Sequence, residues 1–366
     1  MLLTKLNFFE NENKPNYWEI NDVSFEKFNL IVGLNAVGKT RLMNVIINLA
    51  KFISKKVRLK DSYWNIEIRG EEGKIYVYEL ELKGGIVSKE KLLENDELLL
   101  DRTKKKGKIF SKVENKMDIF YPPENELTLN IKRDIRNYPY LEDLIEWANN
   151  LLSYTFSCVR PNEISIPQKD EGLFENLSTT PYILLKLLRK GKEGSREVEE
   201  YLKQIIKDLA YIGYPSTQIG VEPIDHDKFI IGIKEKDLNC RTKQPQMSQG
   251  MYRAISLIVI IDQILRLNKK ITVIIDDLAE GLDFARSTRL TKLLFNKVDK
   301  SEIQTIITSN DRFLINSVDI RYISFLERQG HKVKTYNYLN SKNLFEDLTM
   351  TGLNNFDFLS DKMYKR

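Results

Sequence analysis

Four short stretches of this chain hold residues whose types and spacing could do chemistry. Gly33-Leu34-Asn35-Ala36-Val37-Gly38-Lys39-Thr40 has the pattern Gly-x4-Gly-Lys-Thr. A loop of this kind wraps phosphates in backbone N–H groups, sends its lysine to the outer phosphates and offers its hydroxyl to a magnesium ion. Asp276-Asp277-Leu278-Ala279-Glu280-Gly281-Leu282-Asp283 gathers carboxylates of the sort that serve a metal and a base. Met247-Ser248-Gln249-Gly250-Met251 puts a serine and a glycine ahead of a long apolar run, and Thr308-Ser309-Asn310-Asp311 closes an apolar segment with polar groups.

The elements that must position these groups are legible around them. Phe28 to Val32 reads as a buried strand, and Arg41 to Leu49 as a helix whose N-terminus faces the phosphate loop. Ile271 to Ile275 is a second buried strand, ending in Asp276 and Asp277. In an open α/β sheet ligands lie beyond the carboxyl ends of the strands, so these carboxylates are expected beside the loop. Ala254 to Leu267 reads as a buried helix. Taken alone, Ser248 is a plain N-cap, because its oxygen can satisfy an orphan backbone donor. Ile303 to Ile307 is a third apolar strand, and Asn310 reads either as a strand-end cap or as a group facing the same crevice.

Composition sets the outer limits. A chain of 366 residues, 42% hydrophobic and 30% charged, suits a globular protein with a sizeable core, as one elaborated domain or two small ones. The net charge of +5 permits contact with nucleic acid without requiring it. Cys158 and Cys240 have no metal-type spacing and could form at most one bridge, which fits a reducing cytoplasm. No cationic leader precedes an apolar core at the N-terminus, and the Ala254–Leu265 run falls short of the roughly 20 residues of a membrane span. A cytoplasmic protein without a membrane segment is therefore expected.

Between the first helix and the serine stretch the chain makes a long excursion. Trp64 to Ile68 and Ile75 to Leu82 alternate at period two about Gly70-Glu71-Glu72-Gly73, predicting a hairpin. Lys104-Lys105-Lys106-Gly107-Lys108 reads as a solvated loop, with an acidic partner or nucleic acid as the alternative. Tyr140 to Leu152, Tyr182 to Arg189 and Val198 to Ile212 have helical spacing, with a polar break at residues 190–195. This predicts a P-loop core from residues 1–60 and 230–366, and an inserted part, residues 61–229, of antiparallel strands and a helical lobe.

Taken together, the four stretches resemble the ABC-type ATPases, in particular soluble heads of the SMC, RecF and OLD group. Gly33 to Thr40 matches the Walker A loop, with Asn35 as in the SMC-like branch. Met247-Ser248-Gln249-Gly250-Met251 occupies the place of the signature Leu-Ser-Gly-Gly-Gln and keeps its serine and second glycine. Ile274-Ile275-Asp276-Asp277 matches Walker B, with Asp277 where relatives carry a catalytic glutamate. Gly281-Leu282-Asp283 looks like the D-loop, and Asn310 replaces the switch histidine. Thr351-Gly352-Leu353-Asn354-Asn355-Phe356-Asp357-Phe358 resembles the tail of compact AAA-type ATP-binding proteins often encoded among bacterial defence genes.

The resemblance implies an α/β ABC ATPase head, its P-loop sheet flanked by helices, with an antiparallel strand element and an enlarged helical lobe. It implies ATP and Mg²⁺ as cofactors. Gly33, Asn35, Ala36, Val37, Gly38, Lys39, Thr40 and Arg41 would hold nucleotide in one subunit, and Ser248, Gln249, Gly250 and Asp283 would meet it from a second copy. Thr40 and Asp276 would take the metal. Asp277 is the first choice to orient water, with Glu280 as the other candidate and Asn310 beside the γ-phosphate. A homodimer across ATP, acting slowly on a separate effector protein, is implied; a nucleotide-gated scaffold with negligible turnover is the alternative. With only His226 and His331 in the chain, a nuclease site relying on several histidines is excluded.

Overall fold

The computed structural model describes residues 1–54, 60–164, 177–190 and 196–361. They form a mixed α/β protein in two compact units. The first comprises Met1–Leu151, Lys270–Thr272 and Asp319–Arg366, and the second Leu152–Lys269 and Val273–Val318.

In the first unit the strand Phe28–Val32 is buried at every residue, as expected of an apolar run covered on both faces. It pairs in parallel with Ile323–Gln329, Ile31 opposite Ser324. That strand turns back into Lys332–Tyr336, which lies parallel to Trp18–Ser24. From there the ladder is antiparallel throughout: Leu2–Glu10, Ser62–Arg69, Ile75–Lys83, Ile86–Glu94, Glu97–Thr103, Lys106–Ser111 and Lys116–Phe120. The helix Lys39–Ile53 turns Leu42, Val45, Ile46 and Leu49 inward, and the Trp64 indole donates to the Val45 carbonyl at 3.2 Å. Glu90 and Arg102, both fully buried, meet at 3.3 Å. Tyr78 and the Thr128 N–H satisfy the carboxylate, and the Pro123 and Glu126 carbonyls satisfy the guanidinium.

The hairpin read from Trp64 to Leu82 is present, Ile66 opposite Tyr78. The lysine patch differs from its reading as a loop. Lys104 turns the corner with φ of 46°, and Lys106 to Lys108 already belong to a strand, Thr103 opposite Lys106. Its period-two signal is hidden because the inward position between Lys106 and Lys108 is Gly107, where a Cβ would lie 2.5 Å from the Phe120 ring. The helix read from Tyr140 to Leu152 is also shorter. It spans Pro139–Asn149, and Leu151 opens a strand, Leu151–Thr155. The three-residue step from Ala148 to Leu151 mimicked a helical repeat across that boundary.

Leu151–Thr155, Ile271–Asp276 and Ile303–Thr308, which belong to the second unit apart from Leu151, Ile271 and Thr272, are neighbouring strands, the last two buried at every residue. The helix Gln249–Arg266 is buried on nearly all sides, which explains its uninterrupted apolar sequence. The helices Thr180–Lys190 and Arg196–Tyr211 pack on it, and the Tyr201 hydroxyl donates to the Val259 carbonyl at 3.1 Å. The break at residues 190–195 lies outside the described residues apart from Lys190. A small sheet of Ser216–Asp225, Lys228–Glu235 and Thr242–Lys243 carries no clean alternation and was not visible to periodicity. No helix among the described residues is long and apolar enough to cross a membrane.

Candidate nucleotide site

The phosphate loop lies in the first unit and the other candidate residues lie in the second. Leu34, Asn35 and Ala36 form its exposed apex, between a buried strand and the buried Val37. Ala36 and Gly38 both have positive φ, 63° and 111°. Two glycines are dictated by packing. At Gly33 a Cβ would stand 2.8 Å from Val37 Cγ2 and 2.9 Å from the Leu326 carbonyl, and at Gly38 it would stand 3.2 Å from the Trp18 ring. Lys39 opens the helix and is 7% exposed, its ammonium donating to the Gly33 carbonyl at 2.8 Å. The charge is thus held at the mouth of the loop by the loop's own backbone. Thr40 is exposed. Arg41 pairs with Glu10 at 2.6 Å and lies 4.4 Å over the Trp18 ring, so in this structure its charge is already engaged.

In the second unit Asp276 is the last residue of its strand and is 7% exposed. Its Oδ1 accepts from the Thr308 hydroxyl, which in turn accepts from the Asp277 N–H at 2.9 Å. Asp277, half-buried, begins a tight turn in which every second residue is left-handed: Asp277 at φ 57°, Ala279 at 72° and Gly281 at 85°. The adjacent strand grips that turn. Leu278 N–H donates to the Thr308 carbonyl at 2.9 Å, and the Ser309 hydroxyl donates to the Leu278 carbonyl at 2.9 Å. Glu280 is exposed at the tip of the turn. Asn310 is likewise exposed, just before Asp311 caps the helix Arg312–Ser317.

Ser248 is the N-cap of its helix, its oxygen accepting from Met251 N–H at 3.2 Å, and Ser248 and Gln249 are both exposed. Gly250 is brought against the carboxylate turn so closely that a Cβ would lie 2.5 Å from the Gly281 carbonyl. Asp283 caps the helix Phe284–Asp299; the Arg286 N–H, with the Arg286 guanidinium, holds its carboxyl below the usual range.

Two residues in these stretches escaped the sequence reading. Arg253, one turn beyond Gly250 and 5% exposed, donates to the carbonyls of Val159 at 3.0 Å, of Glu280 at 2.9 Å and of Ser157. It ties the serine-bearing helix to the carboxylate turn. Thr308 was quoted only as the end of a strand. An arginine inside an apolar helix was the available signal for the first, and nothing local marked the second.

No protein-family model matches the chain, and no curated protein matches it. Solved structures do. An Smc head bound to the C-winged helix domain of ScpA is similar with a TM-score of 0.54 at 13% identity, covering 92% of this chain and 97% of that one. An Smc head domain with an extended coiled coil, bound to the C-terminal domain of ScpA derived from Pyrococcus furiosus, is similar with a TM-score of 0.50 at 13% identity, covering 95% and 99%. The chain has the fold of an SMC head. Within that fold the Gly33–Thr40 loop follows one buried strand, and the paired aspartates and the Asn310 segment follow two others. The fold therefore accounts for why three of the four reactive stretches stand at strand ends.

Proposed function

We propose that this chain is an ABC-type ATPase that binds Mg-ATP, dimerises around it and works as a slow switch on a separate effector protein, in DNA maintenance or antiphage defence. The observation that carries the reading is the loop Gly33–Thr40. It has an exposed apex, two glycines demanded by packing and a buried lysine whose ammonium sits at the loop's mouth. Backbone N–H groups of the loop would bind the phosphates, and Lys39 would exchange its carbonyl partners for phosphate oxygens.

Magnesium fits the donors offered. Among the described residues no group of three His, Cys, Asp or Glu could hold a metal unaided. The ion would be held by the Thr40 hydroxyl, the Asp276 carboxylate and the nucleotide's own oxygens, all hard oxygen donors, and would neutralise phosphate charge. Asp277 would orient the attacking water. Ser248, Gln249 and Gly250, at an exposed helix N-terminus, would meet the γ-phosphate of ATP bound to a second copy, together with Asp283. Asp277 is one methylene shorter than glutamate, and Asn310 cannot carry the charge of a histidine. Both features favour slow turnover and a long-lived ATP-bound state. They also favour, as a second reading, a nucleotide-gated scaffold. The Smc heads of similar fold are bound to domains of ScpA; for this chain, too, a separate protein would read the switch.

Calorimetry tests the reading first: Lys39→Ala should lose ATP affinity by about 100-fold or more, with an unchanged fold. Unaltered affinity would end it. Single-turnover assays then separate the carboxylates, since Asp277→Asn should bind ATP without hydrolysing it while Glu280→Gln keeps most activity. The opposite outcome makes Glu280 the base. Light scattering with ATP should show a dimer that Ser248→Arg abolishes, and turnover measured with DNA, RNA and candidate effector proteins identifies the trigger.

A further inference from the structure

We propose that Thr308 is a positioning residue of the carboxylate turn, one hydroxyl that sets both the direction of the Asp276 side chain and the left-handed backbone of Asp277. The inference rests on the reading that these two carboxylates serve a metal and a water. It adds a residue to which no motif assigns a role.

A hydroxyl has one proton to give and lone pairs to receive with. Thr308, fully buried, uses both on consecutive residues of another strand's end: it donates to Asp276 Oδ1 and accepts from Asp277 N at 2.9 Å. The bond to Asp276 is charge-assisted, so it fixes the carboxylate more firmly than a neutral pair would. The bond from Asp277 N holds a residue whose φ of 57° lies in the left-handed region, which an aspartate adopts at only a modest cost.

One hydrogen bond is enough to offset the modest cost of a left-handed aspartate. Without the hydroxyl, Asp277 can relax towards an ordinary backbone conformation, and its carboxylate would then swing to a new direction. Leu278 N–H on the Thr308 carbonyl, the Ser309 hydroxyl on the Leu278 carbonyl and Glu280 N–H on the Asp277 carbonyl at 3.3 Å hold the rest of the turn, and the Thr308 hydroxyl receives the Asp277 N–H.

Thr308→Val, nearly isosteric but without the hydroxyl, and Thr308→Ser, which keeps it, test the idea in the full chain. Hydrogen exchange at the Asp277 amide should quicken roughly tenfold in Thr308→Val, the equivalent of one hydrogen bond, and stay within about threefold of wild type in Thr308→Ser. Manganese binding in the presence of ATP should weaken in the valine variant and recover in the serine variant. Turnover should fall about 100-fold in kcat, the scale of a misplaced reacting group, with KM for ATP nearly unchanged because the phosphate loop is untouched. Should Thr308→Val not fold, Thr308→Ala makes the same comparison. Wild-type exchange at Asp277, or wild-type kcat in Thr308→Val alongside an active wild type, overturns the inference alone. If wild type shows no Lys39-dependent turnover while the exchange results come out as expected, the ATPase reading fails and the hydroxyl's hold on the turn stands.

Discussion

The phosphate loop and the carboxylate turn both leave the end of a fully buried strand, and both need left-handed residues, yet they are built on different principles. In the phosphate loop the hard constraints fall on glycines: Gly33 lies against Val37 and the Leu326 carbonyl, and Gly38 against Trp18. In the carboxylate turn two of the three left-handed residues, Asp277 and Ala279, have side chains. The turn is held by the Asp277 N–H donating to the Thr308 hydroxyl, by the Ser309 hydroxyl donating to the Leu278 carbonyl and by Arg253 donating to the Glu280 carbonyl. The first loop meets distant neighbours by having glycine where a side chain would collide. The second borrows its shape from elements distant in the sequence.

The largest effect expected from this difference is at Gly250, where the obstacle to a side chain is backbone. In Gly250→Ala the new methyl would meet the Gly281 carbonyl at 2.5 Å, so helix and turn must part. A loss of about 1–3 kcal/mol is expected, read as a fall in Tm by thermal unfolding. A wild-type Tm would mean the two segments separate freely, and the turn would not depend on the helix.

A pH dependence should distinguish the two regions next. Beside the phosphate loop, Arg41 and Glu10 form a partly exposed pair, of a kind that contributes little. In the second unit, Lys297 sits between Asp208 at 2.7 Å and Asp262, all three largely buried. Tyr201, on the helix of Asp208, also faces Asp262, and Arg266 lies over the Tyr201 ring at 5.0 Å. Burial pushes the Asp262 carboxyl up to about 6, with Asp208 reinforcing the shift and Lys297 opposing it. A carboxyl raised in the folded state contributes stability that is complete below its unfolded value near 4 and is lost as pH rises through about 6. Asp262→Asn should therefore gain on wild type between pH 5 and pH 7.5, by an amount on the order of 2 kcal/mol. Urea titrations of both proteins across that range measure it, and a gap that does not change with pH refutes the assignment.

The smallest effect lies in the two left-handed alanines. Ala36→Gly and Ala279→Gly each remove a Cβ from a residue with φ of 63° or 72°. Each should stabilise by at most about 1 kcal/mol, offset in part by the greater freedom of glycine in the unfolded chain. Equal gains in both loops would show that neither alanine is supported by its neighbours. A gain at Ala36 alone would show that the borrowed hydrogen bonds already cover the cost in the turn.

What the sequence determined by itself was whatever is set by near neighbours in the chain. Phe28 to Val32, Ile271 to Asp276 and Ile303 to Thr308 are runs apolar enough to be buried on both faces, and each was legible as a strand. Ser248 was legible as a cap because the hydrogen bond it accepts comes from three residues on. The Phe358 of the tail motif was visible as a pattern, but only the fold shows it packed with Phe345 on Phe325, in the strand beside Phe28–Val32. Arg253 and Thr308 were decided by tertiary structure alone. Their partners, Val159, Glu280, Asp276 and Asp277, lie tens of residues away. A buried guanidinium or hydroxyl takes its role from whichever acceptors the fold delivers, and local spacing carries no record of them.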